Sequence, residues 1–196
     1  MSHGLVQPSK GEYELKTNMI KTIAATAAVA LPMLAIASGA HAAPTAQPFS
    51  AAIGASFLTS SNSRDVTEDT GIHVGLGYTL PGAGVTSGTP SIDLDYDNYS
   101  GHGNSANVYG LYLADRYYVT KNLTGSSFAP YIGGGIGAAY INGSGHGFSQ
   151  NVTNFAGKII VGVKLNQAFV EAAYALPGKD HGYDTSAINV SIGTHF

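Results

Sequence analysis

The chain has 196 residues, a formal net charge of −3, no cysteine, and 11% charged against 44% hydrophobic residues. This composition excludes a disulfide framework, a thiolate metal site and a cysteine nucleophile, gives no electrostatic footprint for nucleic acid, and disfavours intrinsic disorder. The 26 glycines and 12 tyrosines fit a sheet that is buried on both faces or that presents one face to lipid.

The first predicted element is a secretory signal peptide at residues 19–42. Lys21 supplies the positive start, residues 23–37 form an apolar run, and Ala40-His41-Ala42 fits a small-x-small cleavage site. The apolar run, about 15 residues, is shorter than the roughly 20 that a transmembrane helix needs. Residues 1–18 lack such a run, and we interpret them as an N-terminal extension, either a start codon placed too far upstream or a long n-region. Residues 43–196 are then the mature domain.

The mature region alternates apolar and polar residues with period two, which indicates strands with one apolar face. Eight such segments of about 10–12 residues each are predicted, a length typical of tilted membrane-spanning strands. Their apolar stripes run from Phe49 to Phe57, Ile72 to Leu80, Ile92 to Tyr96, Tyr109 to Tyr117, Ile132 to Tyr140, Phe155 to Leu165, Ala168 to Leu176 and Ile188 to Phe196.

The connections between these strands alternate in character along the chain. Polar loops are predicted at 60–69, 98–106, 142–153 and 178–185, and the other connections at 81–89, 120–129 and 166–167. An even number of strands puts both termini on one side of the membrane. The polar loops are therefore expected to be extracellular and the other connections periplasmic.

Periodicity alone does not say which face of the strands points inward, so a soluble lipocalin-like barrel with an apolar interior is an alternative. Three features favour the opposite arrangement, one of which is that Phe196 ends an alternating strand. The polar face is rich in glycine, which suits the narrow interior of an eight-stranded barrel. Aromatic residues near strand ends fit interfacial girdles; the candidates are Phe49, Phe57, Tyr78, Tyr99, Tyr109, Tyr117 and Tyr131. The sequence thus predicts an all-β fold, an eight-stranded antiparallel transmembrane up-and-down β-barrel.

Several segments resemble the small outer-membrane β-barrel family of OmpA- and OmpW-like eight-stranded barrels. The resemblance rests on the segment 130–137 (PYIGGGIG), on 157–163, on 169–174 (FVEAAY) and on the terminal Phe196. It implies a bacterial outer-membrane location, with membrane lipid as the surroundings. It also implies that Phe196 belongs to a signal read by the barrel-insertion machinery.

Charged residues on the inward face are the main candidate functional residues. A lone buried charge is costly, so opposite charges in a narrow lumen are expected to pair. Either these pairs plug the interior, which we favour, or they line a path for ions or solutes. Asp115 and Arg116 are adjacent, so we place Asp115 outward at the interface and Arg116 inward. The lumen candidates are Asp93, Asp95, Asp97, Arg116, Lys158, Lys164 and Glu171.

Three predicted extracellular loops carry a histidine followed by glycine, at His102, His146 and His181, and His73 lies near the upper end of the second strand. The three loop histidines could converge on a metal or sense pH, but their spacing has no metal signature, and no metal or other cofactor is predicted. Some barrels of this size act on lipid A, and such chemistry requires serine, histidine and an acid in register. His146 and Ser149 have no acid beside them, so no catalytic residues are predicted.

The sequence therefore predicts a non-enzymatic outer-membrane barrel with an envelope-structural or surface-interaction role. One alternative is a narrow pore, or an OmpW-like conduit for small or hydrophobic solutes. The other is the soluble lipocalin-like binder. No motif specifies a surface ligand or an oligomeric state.

Overall fold

A computed structural model describes residues 47–60, 67, 69–80, 88–101, 103–119, 128–145, 148–180 and 183–196. The predicted N-terminal extension and signal peptide lie outside these ranges. The strands are β1 (Phe49–Leu58), β2 (Thr70–Thr79), β3 (Gly88–Gly101), β4 (Asn104–Tyr118), β5 (Ala129–Gly145), β6 (Phe148–Leu165), β7 (Ala168–Leu176), β8 (Lys179–Asp180), β9 (Tyr183–Asp184) and β10 (Ala187–His195).

Eight of these strands form a closed antiparallel barrel, in which each strand pairs with its neighbours in sequence and β1 pairs with β10. The short strands β8 and β9 pair only with each other, in the connection between β7 and β10. The predicted fold is therefore confirmed. Closure leaves no unpaired strand edge, which lipid could not satisfy with hydrogen bonds.

The apolar stripes face outward, as the sequence predicts. Leu113, Ile136 and Phe155 are 57%, 62% and 75% exposed. The residues that alternate with these apolar ones along each strand point into the lumen. The described residues contain no helix that is long and apolar enough to cross a membrane.

The seam between β1 and β10 closes at the end of the barrel where β1 begins and β10 ends, here called the terminal rim. The backbone N–H of Phe196 donates to the carbonyl of Phe49 at 2.9 Å, and the Phe49 N–H donates back at 3.2 Å. The Phe49 ring stacks on Phe196 with centroids 6.2 Å apart and contacts Tyr78 at 5.1 Å. These outward aromatic residues form part of a girdle. The opposite end is the distal rim.

Two sequence-based boundaries are wrong. The predicted loops 98–106 and 142–153 are almost entirely strand, because β3 to β6 continue for 14 to 18 residues. A membrane-spanning strand needs only about 9–11 residues. The four strands therefore extend past the apolar band at the distal rim. The ends of these strands at the distal rim are polar on the outer face, so that the strands resemble loops in the sequence.

The prediction that all seven aromatic candidates belong to the girdles is wrong for two of them. Tyr99 is 0% exposed and Tyr131 is 5% exposed, and both point into the lumen. Tyr99 lies two, four and six residues after Asp97, Asp95 and Asp93, so it shares their inward face.

Candidate functional site

The lumen holds a network of charged side chains centred on Lys158, which is 5% exposed. Its Nζ lies 2.9 Å from Oδ2 of Asp93 and 2.9 Å from Oδ2 of Asp95. The same nitrogen lies 4.7 Å from the ring centroid of Tyr112, within cation–π range. The alternation of β3 produces this arrangement, because it points two successive aspartates at one amine on β6.

Arg116 extends the network towards the terminal rim. Its guanidinium bonds Oδ2 of Asp93 at 3.0 Å and Oε2 of Glu171 at 3.0 Å. It also donates to Oγ of Ser91 at 2.9 Å. The hydroxyl of Tyr131 donates to Oε2 of Glu171 at 2.9 Å. Asp93 is thus shared between Arg116 and Lys158, and the ion pairs form one continuous cluster.

A second chain of contacts runs towards the distal rim from Asp97. Nδ1 of His73 lies 2.7 Å from Oδ1 of Asp97, and Nδ2 of Asn189 donates to Oδ2 of the same carboxylate at 3.4 Å. The Ser56 hydroxyl donates to Oδ1 of Asn189 and contacts the Tyr99 hydroxyl. Every barrel strand contributes to these contacts, with Ser56, His73, Asp93, Arg116, Tyr131, Lys158, Glu171 and Asn189 on β1 to β7 and β10.

The structure joins five of the seven predicted lumen charges in one cluster: Asp93, Asp95, Arg116, Lys158 and Glu171. Asp97 is also buried in the lumen, where it pairs with His73. Lys164 also lies on the inward face of β6 and is half-buried, but it forms no ion pair with the described residues. Asp115 is exposed on the outer face and Arg116 points inward, as predicted.

Sequence reasoning missed the roles of His73, Tyr131, Ser56 and Asn189. His73, predicted only to lie near the upper end of the second strand, is buried and bonded to Asp97. Its position between Gly71 and Gly75 on the polar face of β2 was the available signal. The loop histidines His102, His146 and His181 lie outside the described residues, among which no group of side chains suits a metal ion.

Apolar side chains fill the lumen beyond the charges, towards the distal rim. Leu58, Val108, Tyr112 and Ile141 are buried there against small alanines. Two cavities of about 20 Å³ lie among the polar residues, one beside His73 and Asp95, the other between Arg116 and His195. Each has room for about one water molecule.

A closed eight-stranded sheet with an apolar exterior and charges inside defines the class of outer-membrane β-barrels. The chain belongs to the family described as "Outer membrane protein beta-barrel domain", whose model matches residues 26–196. The protein is therefore located in the bacterial outer membrane. The soluble lipocalin-like alternative is wrong, because it would require the apolar stripes to point inward.

The chain is similar to several solved structures, and for three of them the match covers at least 95% of the other chain. Neisserial surface protein A is 15% identical, with a TM-score of 0.56 over 76% of this chain and 96% of that one. The N-terminal β-barrel domain of Pseudomonas aeruginosa OprF is 14% identical, with a TM-score of 0.48 and coverages of 76% and 98%. The outer membrane enzyme PagL is 22% identical, with a TM-score of 0.46 and coverages of 74% and 95%. The comparison with curated proteins finds no match.

Proposed function

We propose that this protein is a closed, non-enzymatic barrel that stabilises the envelope or presents its distal rim to the surroundings. The observation that carries the proposal is the network of ion pairs around Lys158 and Arg116, which joins opposite walls of the lumen. Eight-stranded barrels are just wide enough for side chains to fill them. The apolar cluster beyond the network adds a second barrier to ions.

The described histidines support a role without catalysis. His73 lies in the lumen against Asp97. His195 lies near the terminal rim, with Nδ1 3.2 Å from the carbonyl of Gln167 and its ring against Phe169. Hydrolysis of a membrane lipid by a serine–histidine–acid set would need these groups together on the lipid-facing surface. Neither histidine is on that surface.

Conductance across a planar bilayer tests whether the lumen is closed. The purified full chain, reconstituted in lipid, is expected to show no steady ohmic steps. Migration of unboiled and boiled samples on a gel provides the control for insertion, since a folded barrel runs differently before heating. Steady steps from correctly inserted protein would replace this proposal with the narrow-pore or solute-conduit alternative.

We further propose that Phe196 is part of the signal by which the insertion machinery handles this chain. Phe196→Ala is expected to lower the folded fraction in the outer membrane several-fold, while Phe196→Tyr keeps it near wild type. The ring also packs on Phe49, so refolding of each variant into protein-free vesicles is the control. Equal losses in cells and in vesicles would assign Phe196 to packing alone.

A further inference from the structure

The outer face of the extended strands carries a row of asparagines, here called the amide ladder: Asn98, Asn107, Asn142 and Asn151. The strand register places Asn98 opposite Asn107, Asn107 opposite Asn142, and Asn142 opposite Asn151. The ladder thus crosses four adjacent strands, β3 to β6, at one level. With strands about 4.8 Å apart, it spans about 14 Å.

Hydrogen bonds hold the ladder in two pairs. Nδ2 of Asn98 donates to Oδ1 of Asn107 at 2.8 Å, and Nδ2 of Asn142 donates to Oδ1 of Asn151 at 2.8 Å. The Tyr96 hydroxyl also donates to Oδ1 of Asn107 at 2.8 Å. An amide has two N–H donors and an oxygen with two lone pairs. Each pair therefore retains donors and acceptors for a ligand.

A row of hydroxyls lies one step nearer the distal rim, at Ser100, Ser105 and Ser144. Oγ of Ser105 lies 2.8 Å from Oγ of Ser144. Serine follows asparagine at i+2 in both β3 and β5, on the same face of the strand. The N-x-S patterns at Asn98 and Asn142 therefore mark two parallel polar rows, and they were the signal in the sequence for this surface.

A row of tyrosines lies on the membrane side of the ladder, at Tyr96, Tyr109 and Tyr140. Their ring centroids are 5.0 Å apart between Tyr96 and Tyr109, and 6.1 Å apart between Tyr109 and Tyr140. Aromatic rows mark the level at which a barrel leaves the hydrocarbon. The amide ladder is therefore at the height of the lipid head groups, with an apolar row of tilted rings beside it.

We propose that the amide ladder binds the neutral sugars of the glycolipid in the outer leaflet. From the tyrosine row to the distal rim, the described outward positions of β3 to β6 carry amides and hydroxyls but no charged side chain. Phosphate groups would require cations, whereas sugar hydroxyls both donate and accept hydrogen bonds, as amides do. The assignment takes the distal rim as the extracellular one. It does not depend on a closed lumen, because a conducting barrel could carry the same surface.

The test compares two glycolipid probes on the full chain in detergent micelles. Rough-type lipopolysaccharide, which has core sugars, and lipid A, which lacks them, are titrated while bound lipid per barrel is counted by native mass spectrometry. The wild-type protein is expected to retain the rough-type lipid more tightly. The Asn107→Ala/Asn142→Ala variant, which alters both pairs, is expected to bind it on the order of tenfold more weakly, with lipid A binding unchanged.

The matched control is Asn166→Gly, which removes an amide at the terminal rim. Asn166 has φ 59°, a conformation that glycine adopts without strain, so this variant is expected to bind both lipids as wild type does. Equal retention of the two lipids by the wild-type protein would overturn the proposal, and this comparison requires no variant to fold. Wild-type affinity in the double alanine variant, or a matching loss in Asn166→Gly, would also overturn it.

Discussion

The Lys158→Met variant is expected to lose about 3–5 kcal/mol of its free energy of unfolding, the usual cost of removing one partner from a buried ion pair. Methionine keeps the length and the apolar stem of lysine. It leaves the carboxylate of Asp95 without its amine and weakens the cluster at Asp93. Urea titration of the barrel in lipid vesicles, followed by gel mobility without boiling, measures the loss.

Lys164→Met is the matched control on the same strand and the same inward face. Lys164 is half-buried and has no ion pair among the described residues, so its replacement is expected to change the free energy of unfolding by less than about 1 kcal/mol. The double variant Lys158→Met/Asp95→Asn removes a charge of each sign and is expected to recover part of the loss. Equal effects of the two methionine variants would show that the pairs at Lys158 do not stabilise the barrel.

Strand identity and strand facing could be read from the sequence because they are local properties. Asp93, Asp95 and Asp97 alternate with Ile92, Leu94 and Tyr96. Since successive side chains of a strand point to opposite faces, the aspartates point inward if the apolar residues point to lipid. The partners across the lumen could not be read in this way. Which strand faces Lys158 across the interior depends on the shear and tilt of the closed barrel, and no short segment encodes these.

The errors have a common physical origin. The positions of Tyr99 and Tyr131 near strand ends favour a girdle, but the alternation of their own strands turns both side chains inward. The segments 98–106 and 142–153 resemble loops in the sequence because their outward residues are polar. A strand that leaves the membrane exchanges apolar for polar residues on its outer face and still keeps its period. Loss of apolar character therefore marks the membrane boundary in this chain, not the end of the strand.

The glycines of the inner face differ in how closely another strand approaches them, and Gly137 is the extreme case. A Cβ there would overlap the carbonyl oxygen of Leu111 and lie 2.9 Å from the Cα of Tyr112. Both contacts are with backbone on β4, which cannot move without disturbing its pairing with β5. Gly137→Ala is therefore expected to destabilise the barrel by about 1–3 kcal/mol, the usual cost of overpacking, in the same urea titration.

Gly157 provides the comparison, because it lies on the outer face of the neighbouring strand β6. The nearest atom to a Cβ at Gly157 is the carbonyl oxygen of Gly135, at 3.7 Å, an ordinary contact. Gly157→Ala is expected to stay within about 0.5 kcal/mol of wild type. Both substitutions add one methyl group and remove the same backbone freedom, so those contributions cancel in the difference. A large difference between the two changes in the free energy of unfolding would mean that the narrow interior requires glycine at position 137. Equal changes would mean that the effect of Gly137→Ala comes from backbone freedom alone.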